Sequence, residues 1–207
     1  IGWADSASRR PADHKAIVFD ADDTTLWTYD MEDNLMHFNF DPALQATWVF
    51  GKLFPATPGM VDFVDAVAAK GYAIFGITGR RFAQEQATVE NLQEVGYSQF
   101  NGDNFYTKWD GADTNKPSYV TCVAACTTVE YKANTRKHIE QDLGYDIALN
   151  VGDQFSDLQG GYHLSFARQA DGEVVARLGL RPLDSPHRPA RSEEQTSELQ
   201  SPMYLVC

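Results

Sequence analysis

The sequence predicts a three-layer α/β fold, a central parallel sheet with helices on both faces. Three observations point to it. Short apolar runs alternate with longer amphipathic stretches, glycines close most of those stretches, and several of the apolar runs end abruptly in polar clusters. With 207 residues, 43% of them apolar, the chain can bury one sizeable core but has little room for a second full domain.

Taken in order, residues 16–19 read as a short strand that feeds the acidic loop Asp20-Ala21-Asp22-Asp23-Thr24-Thr25. Thr57 and Pro58 suit the N-cap and first turn of a helix through residue 70, with Met60, Val61, Val64, Val67 and Ala68 on its apolar face and Gly71 as its stop. Residues 72–77 form the next strand, ending in Thr78-Gly79-Arg80, and residues 82–95 the next helix, ended by Gly96. Residues 105–107 fit a third strand, residues 130–143 a helix closed by Gly144, and residues 147–151 a strand running into Gly152-Asp153.

Two regions are less regular. Residues 26–56 insert about thirty residues where a connection of roughly 2–6 is usual. The insert holds Trp27, Tyr29, Phe38, Phe40, Trp48, Phe50 and Phe54. Most of these aromatics are expected to pack it against the body, while a flap shaping access to the acidic loop is the functional alternative. Residues 162–190 carry weaker patterning, with a strand conceivable at 173–178. The domain is therefore drawn at residues 14–190, behind an N-terminal extension of residues 1–13. Residues 191–207 closely resemble the translation of a sequencing-library adapter and are set apart from the fold as an artefact.

Asp and Glu outnumber Lys and Arg by 29 to 17, and no long basic run occurs, so charge gives no support to a nucleic-acid role. No apolar stretch approaches the roughly 20 residues of a membrane span. Small molecules are the expected partners, and an anionic one needs local help from a metal or a lysine. The chain begins at Ile1 with no charged n-region or apolar h-region, so its location is not legible directly.

Four polar clusters carry the chemistry. Each alone has an ordinary reading: an acidic turn that caps a helix, a Thr-Gly turn, a solvated Lys132, or helix-start acids in Gly152-Asp153-Gln154-Phe155-Ser156-Asp157. Together, at the carboxyl ends of neighbouring strands, they would meet in the crevice where open α/β sheets bind ligands. Asp20 and Asp153 would offer hard oxygen donors suited to Mg²⁺. Lys132, expected in the first turn of its helix, adds a positive charge, and the Thr78 hydroxyl can donate to a phosphoryl oxygen. These parts suit phosphoryl transfer, in which positioning and charge neutralisation supply most of the catalysis.

The motifs Phe19-Asp20-Ala21-Asp22-Asp23-Thr24-Thr25-Leu26, Ile77-Thr78-Gly79-Arg80, Tyr131-Lys132 with Arg136-Lys137, and Asn150-Val151-Gly152-Asp153-Gln154-Phe155-Ser156-Asp157-Leu158 carry a resemblance. Across about residues 14–161 the chain resembles the haloacid-dehalogenase-like (HAD) phosphohydrolases, and within them the class B acid phosphatases and plant vegetative storage proteins. The resemblance implies a Rossmann-like HAD-type fold without a large cap domain. It implies a phosphomonoesterase in which Asp20 attacks phosphorus, Asp22 protonates the leaving group and then activates water, and Thr78 and Lys132 hold the phosphoryl group. Thr24, Gly79 and Arg80 would line the substrate, although a structural role is the commoner one for such an arginine. Asp20, the Asp22 carbonyl, Asp153 and Asp157 would bind Mg²⁺, and Asp23 would support the loop. Neighbouring negative charge is expected to keep Asp22 protonated for the first step.

The same resemblance admits a non-catalytic storage or phosphate-binding protein, against which the retained Asp20 argues. A phospho-accepting receiver domain also gathers acids, a Thr and a Lys around Mg²⁺, but its motif order differs. Export is implied by the resemblance, and with it a small disulfide loop between Cys122 and Cys126. In a cytosolic chain the same pair would be two free thiols.

Overall fold

The computed structural model describes residues 14–109, 111, 116–158 and 205–206. The N-terminal extension, the conceivable strand at 173–178 and most of the adapter-like tail lie outside them. Five strands, β1 (Lys15–Phe19), β2 (Ala73–Arg81), β3 (Phe105–Lys108), β4 (Asp146–Val151) and β5 (Leu205–Val206), form one sheet in the order β3-β2-β1-β4-β5. The first four are mutually parallel, and β5 adds antiparallel to β4, with Val151 opposite Leu205. Those two residues of β5 belong to the segment that the adapter resemblance set apart.

Every residue of β1 is buried, and its side chains alternate between two cores. Ile17 and Phe19 join Leu26, Phe54, Val64, Leu92, Tyr97 and Phe100 on one face, while Ala16 and Val18 join Phe75, Ile77, Tyr131 and Ile139 on the other. This division makes the three layers. Gly76 on β2 lets the Phe105 ring lie against the strand, since a Cβ there would overlap that ring.

Among the described residues five α-helices flank the sheet: α1 (Tyr29–Asn34), α2 (Pro42–Gly51), α3 (Met60–Ala69), α4 (Glu85–Glu94) and α5 (Thr128–Gln141). α3 starts later than the sequence suggested, because Gly59, with a left-handed φ of 76°, takes the N-cap position. The Thr57 hydroxyl is buried instead and has no hydrogen-bond partner among the described residues. α5 starts earlier, at a capping box in which Thr127 and Glu130 satisfy each other's backbone N–H groups.

The insert is more ordered than expected. Its ends are pinned together by Trp27 N–H to the Pro55 carbonyl at 2.9 Å and Thr57 N–H to the Thr25 carbonyl at 3.0 Å. Between them, Asp41 caps α2 through the N–H groups of Ala43 and Leu44, with Pro42 at the first position. Phe54 and Trp48 pack inward, whereas Phe38, Phe40 and Phe50 are 64%, 65% and 56% exposed.

Candidate active site

The acidic loop leaves β1 at the carboxyl edge of the sheet, and its first turn is closed by the backbone. Asp20 N–H donates to the Val151 carbonyl at 2.9 Å, which ties the loop to the end of β4. The N–H groups of Thr25 and Leu26 both return to the Ala21 carbonyl, and the Thr25 hydroxyl donates to the Asp20 carbonyl at 3.0 Å. Asp23 holds a left-handed φ of 51° and accepts from the Thr28 N–H and hydroxyl, at 3.2 and 2.6 Å. It supports the loop, as expected.

Three carboxylates meet at this edge. One oxygen from each of Asp20, Asp153 and Asp157 lies within 4.8 Å of the others. Lys132 reaches between them: its Nζ is 3.0 Å from Asp20 Oδ2 and also donates to Asp157 Oδ1. Lys132 is the fifth residue of α5 and so sits in its second turn; the expected first-turn position is corrected by the earlier helix start. Burial opposes its charge, but Asp20 and Asp157 outweigh that and hold it above the usual lysine range.

One lysine does not balance three acids. Burial, opposed by Lys132 and reinforced by Asp157, Asp22 and Asp153, pushes Asp20 up to about 8. Asp153 is pushed up to about 6, by burial first and then by Asp157 and Asp23. Among the described residues, Asp20 Oδ1 is buried without a hydrogen-bond partner, as is the Thr24 hydroxyl. A further cation would meet a cluster of hard oxygens whose charge is uncompensated.

The other predicted residues surround this cluster. Thr78 is fully buried within β2, which runs on to Arg81 and not only to residue 77 as the sequence suggested, and its Oγ1 accepts from the Arg80 N–H at 3.2 Å. Gly79 is exposed and faces the start of α5, where a Cβ would stand 3.3 Å from Thr128 Cγ2. Arg80, for which a structural role was the commoner expectation, is buried, and its guanidinium clasps Asp22 through Nε and Nη2. Asp22 thus has a cation beside it as well as the carboxylates anticipated. Arg136 supports the loop that follows β4. It is buried, its charge disfavoured down to about 10 by desolvation against Asp157 and Glu140, and it donates to the Ser156 carbonyl at 3.4 Å, inside the loop that carries Asp153 and Asp157. The Cys122–Cys126 disulfide is formed, with Cα atoms 5.5 Å apart, and closes its loop directly before the Thr127 cap.

The family model described as HAD superfamily, subfamily IIIB (acid phosphatase) matches residues 3–206. The chain belongs to that family. Its relatives include the stem 28 kDa glycoprotein of Glycine max, 28% identical over 59% of this chain and 43% of the relative. Acid phosphatase 1 of Solanum lycopersicum is 25% identical over 70% of this chain and 56% of the relative. Vegetative storage protein 1 of Arabidopsis thaliana is 26% identical over 70% and 53%. The chain thus spans about half the length of the curated relatives it matches. Among solved structures, the class C acid phosphatase from Bacillus anthracis with tungstate bound superposes with a TM-score of 0.61 at 25% identity, covering 86% of this chain and 68% of that one. The HAD-type three-layer α/β fold is therefore shared with that phosphatase, and no large cap stands among the described residues.

Proposed function

We propose that this chain is an acid phosphatase that hydrolyses small-molecule phosphomonoesters through an aspartyl-phosphate on Asp20, with Mg²⁺ as its metal. The observation that carries the reading is the state of Asp20. One of its oxygens lies 3.0 Å from Lys132 Nζ, the other is buried without a hydrogen-bond partner among the described residues, and the residue belongs to a three-carboxylate cluster. A nucleophile needs such a free lone pair, and the family match supplies the reaction class.

In this reading a carboxylate oxygen of Asp20 forms a bond to phosphorus as the bond to the leaving oxygen breaks, and Asp22 gives that oxygen a proton. Water then attacks phosphorus and loses a proton to Asp22, which frees Asp20 and phosphate. Lys132 and Thr78 hold the phosphoryl oxygens, with the Thr24 hydroxyl and the exposed backbone of Gly79 beside them. Asp20, the Asp22 carbonyl, Asp153 and Asp157 would hold Mg²⁺, and the all-oxygen donor set fits a hard divalent ion. When bound, the ion would neutralise carboxylate and phosphate charge together.

Export is proposed on the disulfide and on the glycoprotein names of the soybean relatives. Among the described residues no helix is long and apolar enough to cross a membrane. A storage role is the second reading, favoured by the likeness to a vegetative storage protein.

Hydrolysis of p-nitrophenyl phosphate from about pH 4 to about pH 9, with Mg²⁺ or with chelator, separates the two. Turnover that needs the metal, is fastest at acid pH and falls to background in Asp20→Asn is expected. Full activity in Asp20→Asn or indifference to chelation overturns the mechanism, and a folded, Mg²⁺-loaded protein without turnover favours storage.

A further inference from the structure

Arg80 is built as part of the Asp22 site. Its side chain is fully buried, while the Asp22 side chain it meets is 32% exposed. Nε stands 3.1 Å from both Asp22 oxygens, and Nη2 stands 2.6 Å from Oδ1. A planar fork on two points fixes the roll of a carboxylate as well as its distance, which a point charge does not.

The fork is itself held. Nη1 donates to the Thr88 hydroxyl of α4 at 3.1 Å, so all three guanidinium nitrogens are engaged with the protein. The guanidinium carbon lies 4.7 Å over the Phe54 ring, a cation–π contact in a dry setting. Phe54 is pinned in turn by Asn91, which accepts from its N–H at 3.3 Å and donates to its carbonyl at 2.8 Å. The end of the insert therefore braces the arginine from one side and α4 from another.

We propose that Arg80 is a positioning residue that fixes the orientation of the Asp22 carboxyl group, and that the insert acts on the reaction by bracing Arg80 through Phe54. The inference rests on the reading of Asp22 as proton donor to the leaving group. It gives Arg80 a role different from contact with phosphate. A proton donor matters most for a poor leaving group: an alkoxide needs the proton, and p-nitrophenolate leaves almost without it. The steps through leaving-group release are reported by kcat/KM.

The test measures kcat/KM for glycerol 2-phosphate and for p-nitrophenyl phosphate in the Mg²⁺-loaded protein, its Arg80→Gln and Arg80→Lys variants, and the same changes in an Asp22→Asn background. Arg80→Gln is expected to lose roughly 10–100-fold on the alkyl ester and less than about threefold on the aryl ester. Arg80→Lys recovers part of the loss, inhibition by inorganic phosphate stays unchanged, and in Asp22→Asn the second substitution adds no further loss. Equal losses on both esters, weakened phosphate inhibition, or a full additional loss in Asp22→Asn would each overturn the proposal. If Asp22→Asn alone leaves the alkyl-to-aryl ratio unchanged, the proton-donor reading fails instead. Should Arg80→Gln not fold, Arg80→Lys keeps the charge but loses the fork, and its ratio decides. Phe54→Leu, which removes the ring face, is expected to shift the ratio in the same direction by a smaller factor, and no shift there overturns the bracing role.

Discussion

At Gly152 a single hydrogen atom in place of a side chain lets two parts of the site coexist. A Cβ there would overlap the Asp157 carboxyl group, which folds back to accept from the Gln154 N–H at 3.1 Å and from Lys132 on its other oxygen. Gly152 has no left-handed φ, so alanine meets its obstacle in that contact and not in the backbone angle. Gly152→Ala should therefore push Asp157 away from Asp20 and Lys132 while leaving the sheet intact. By analogy with other groups that orient metal ligands, Mg²⁺ affinity should fall roughly 10–100-fold. Calorimetric titration with Mg²⁺ reads the loss, and circular dichroism like the parent's shows that the fold survived. Unchanged affinity would mean that Asp157 contributes neither a ligand nor its support.

α5 shows what a sequence reveals of an element and what it hides. Its body and its closing Gly144 were legible, and the Thr127-x-x-Glu130 pattern that marks its start stands in the sequence too, three residues before the expected start at residue 130. The same holds for α2, where Asp41-Pro42 signals a helix that the aromatic content of the insert obscured. The acidic loop, Thr78 and Asp153 were legible because each follows an apolar run. The Arg80–Asp22 clasp was not, since 58 residues separate its partners and only the pairing of β1 with β2 brings them together. Capping also has a measurable share in holding Lys132. Thr127→Ala removes the hydroxyl that accepts from the Glu130 N–H and donates to Glu130 Oε2, at a cost of about 1 kcal/mol. The urea midpoint should drop with an unchanged m-value, and no drop would show that the neighbouring disulfide alone fixes the start of α5.

Across the whole molecule, charge links folding to the metal. The chain carries a net charge of -12, and at the sheet edge Asp20, Asp153 and Asp157 share one lysine. With Asp20 raised to about 8 and Asp153 to about 6, the folded metal-free protein keeps protons that the unfolded chain has released, because both carboxyls ordinarily titrate near 3.8. Where the folded state binds more protons, stability falls as pH rises, so these carboxyls weaken the fold progressively from about pH 4 to about pH 8. A divalent cation can replace those protons, and its affinity should grow over the same window as binding ceases to require their release. The chelated protein is thus expected to lose Tm steadily from about pH 5 to about pH 8, while the Tm gained on adding Mg²⁺ increases. Sodium chloride at matched ionic strength removes the contribution of general repulsion among surface acids. Asp20→Asn should flatten the chelated profile and shrink the Mg²⁺ response, since it deletes the most strongly raised carboxyl. A metal response that is the same at both ends of the window would show that the cluster is not where protons and cation compete.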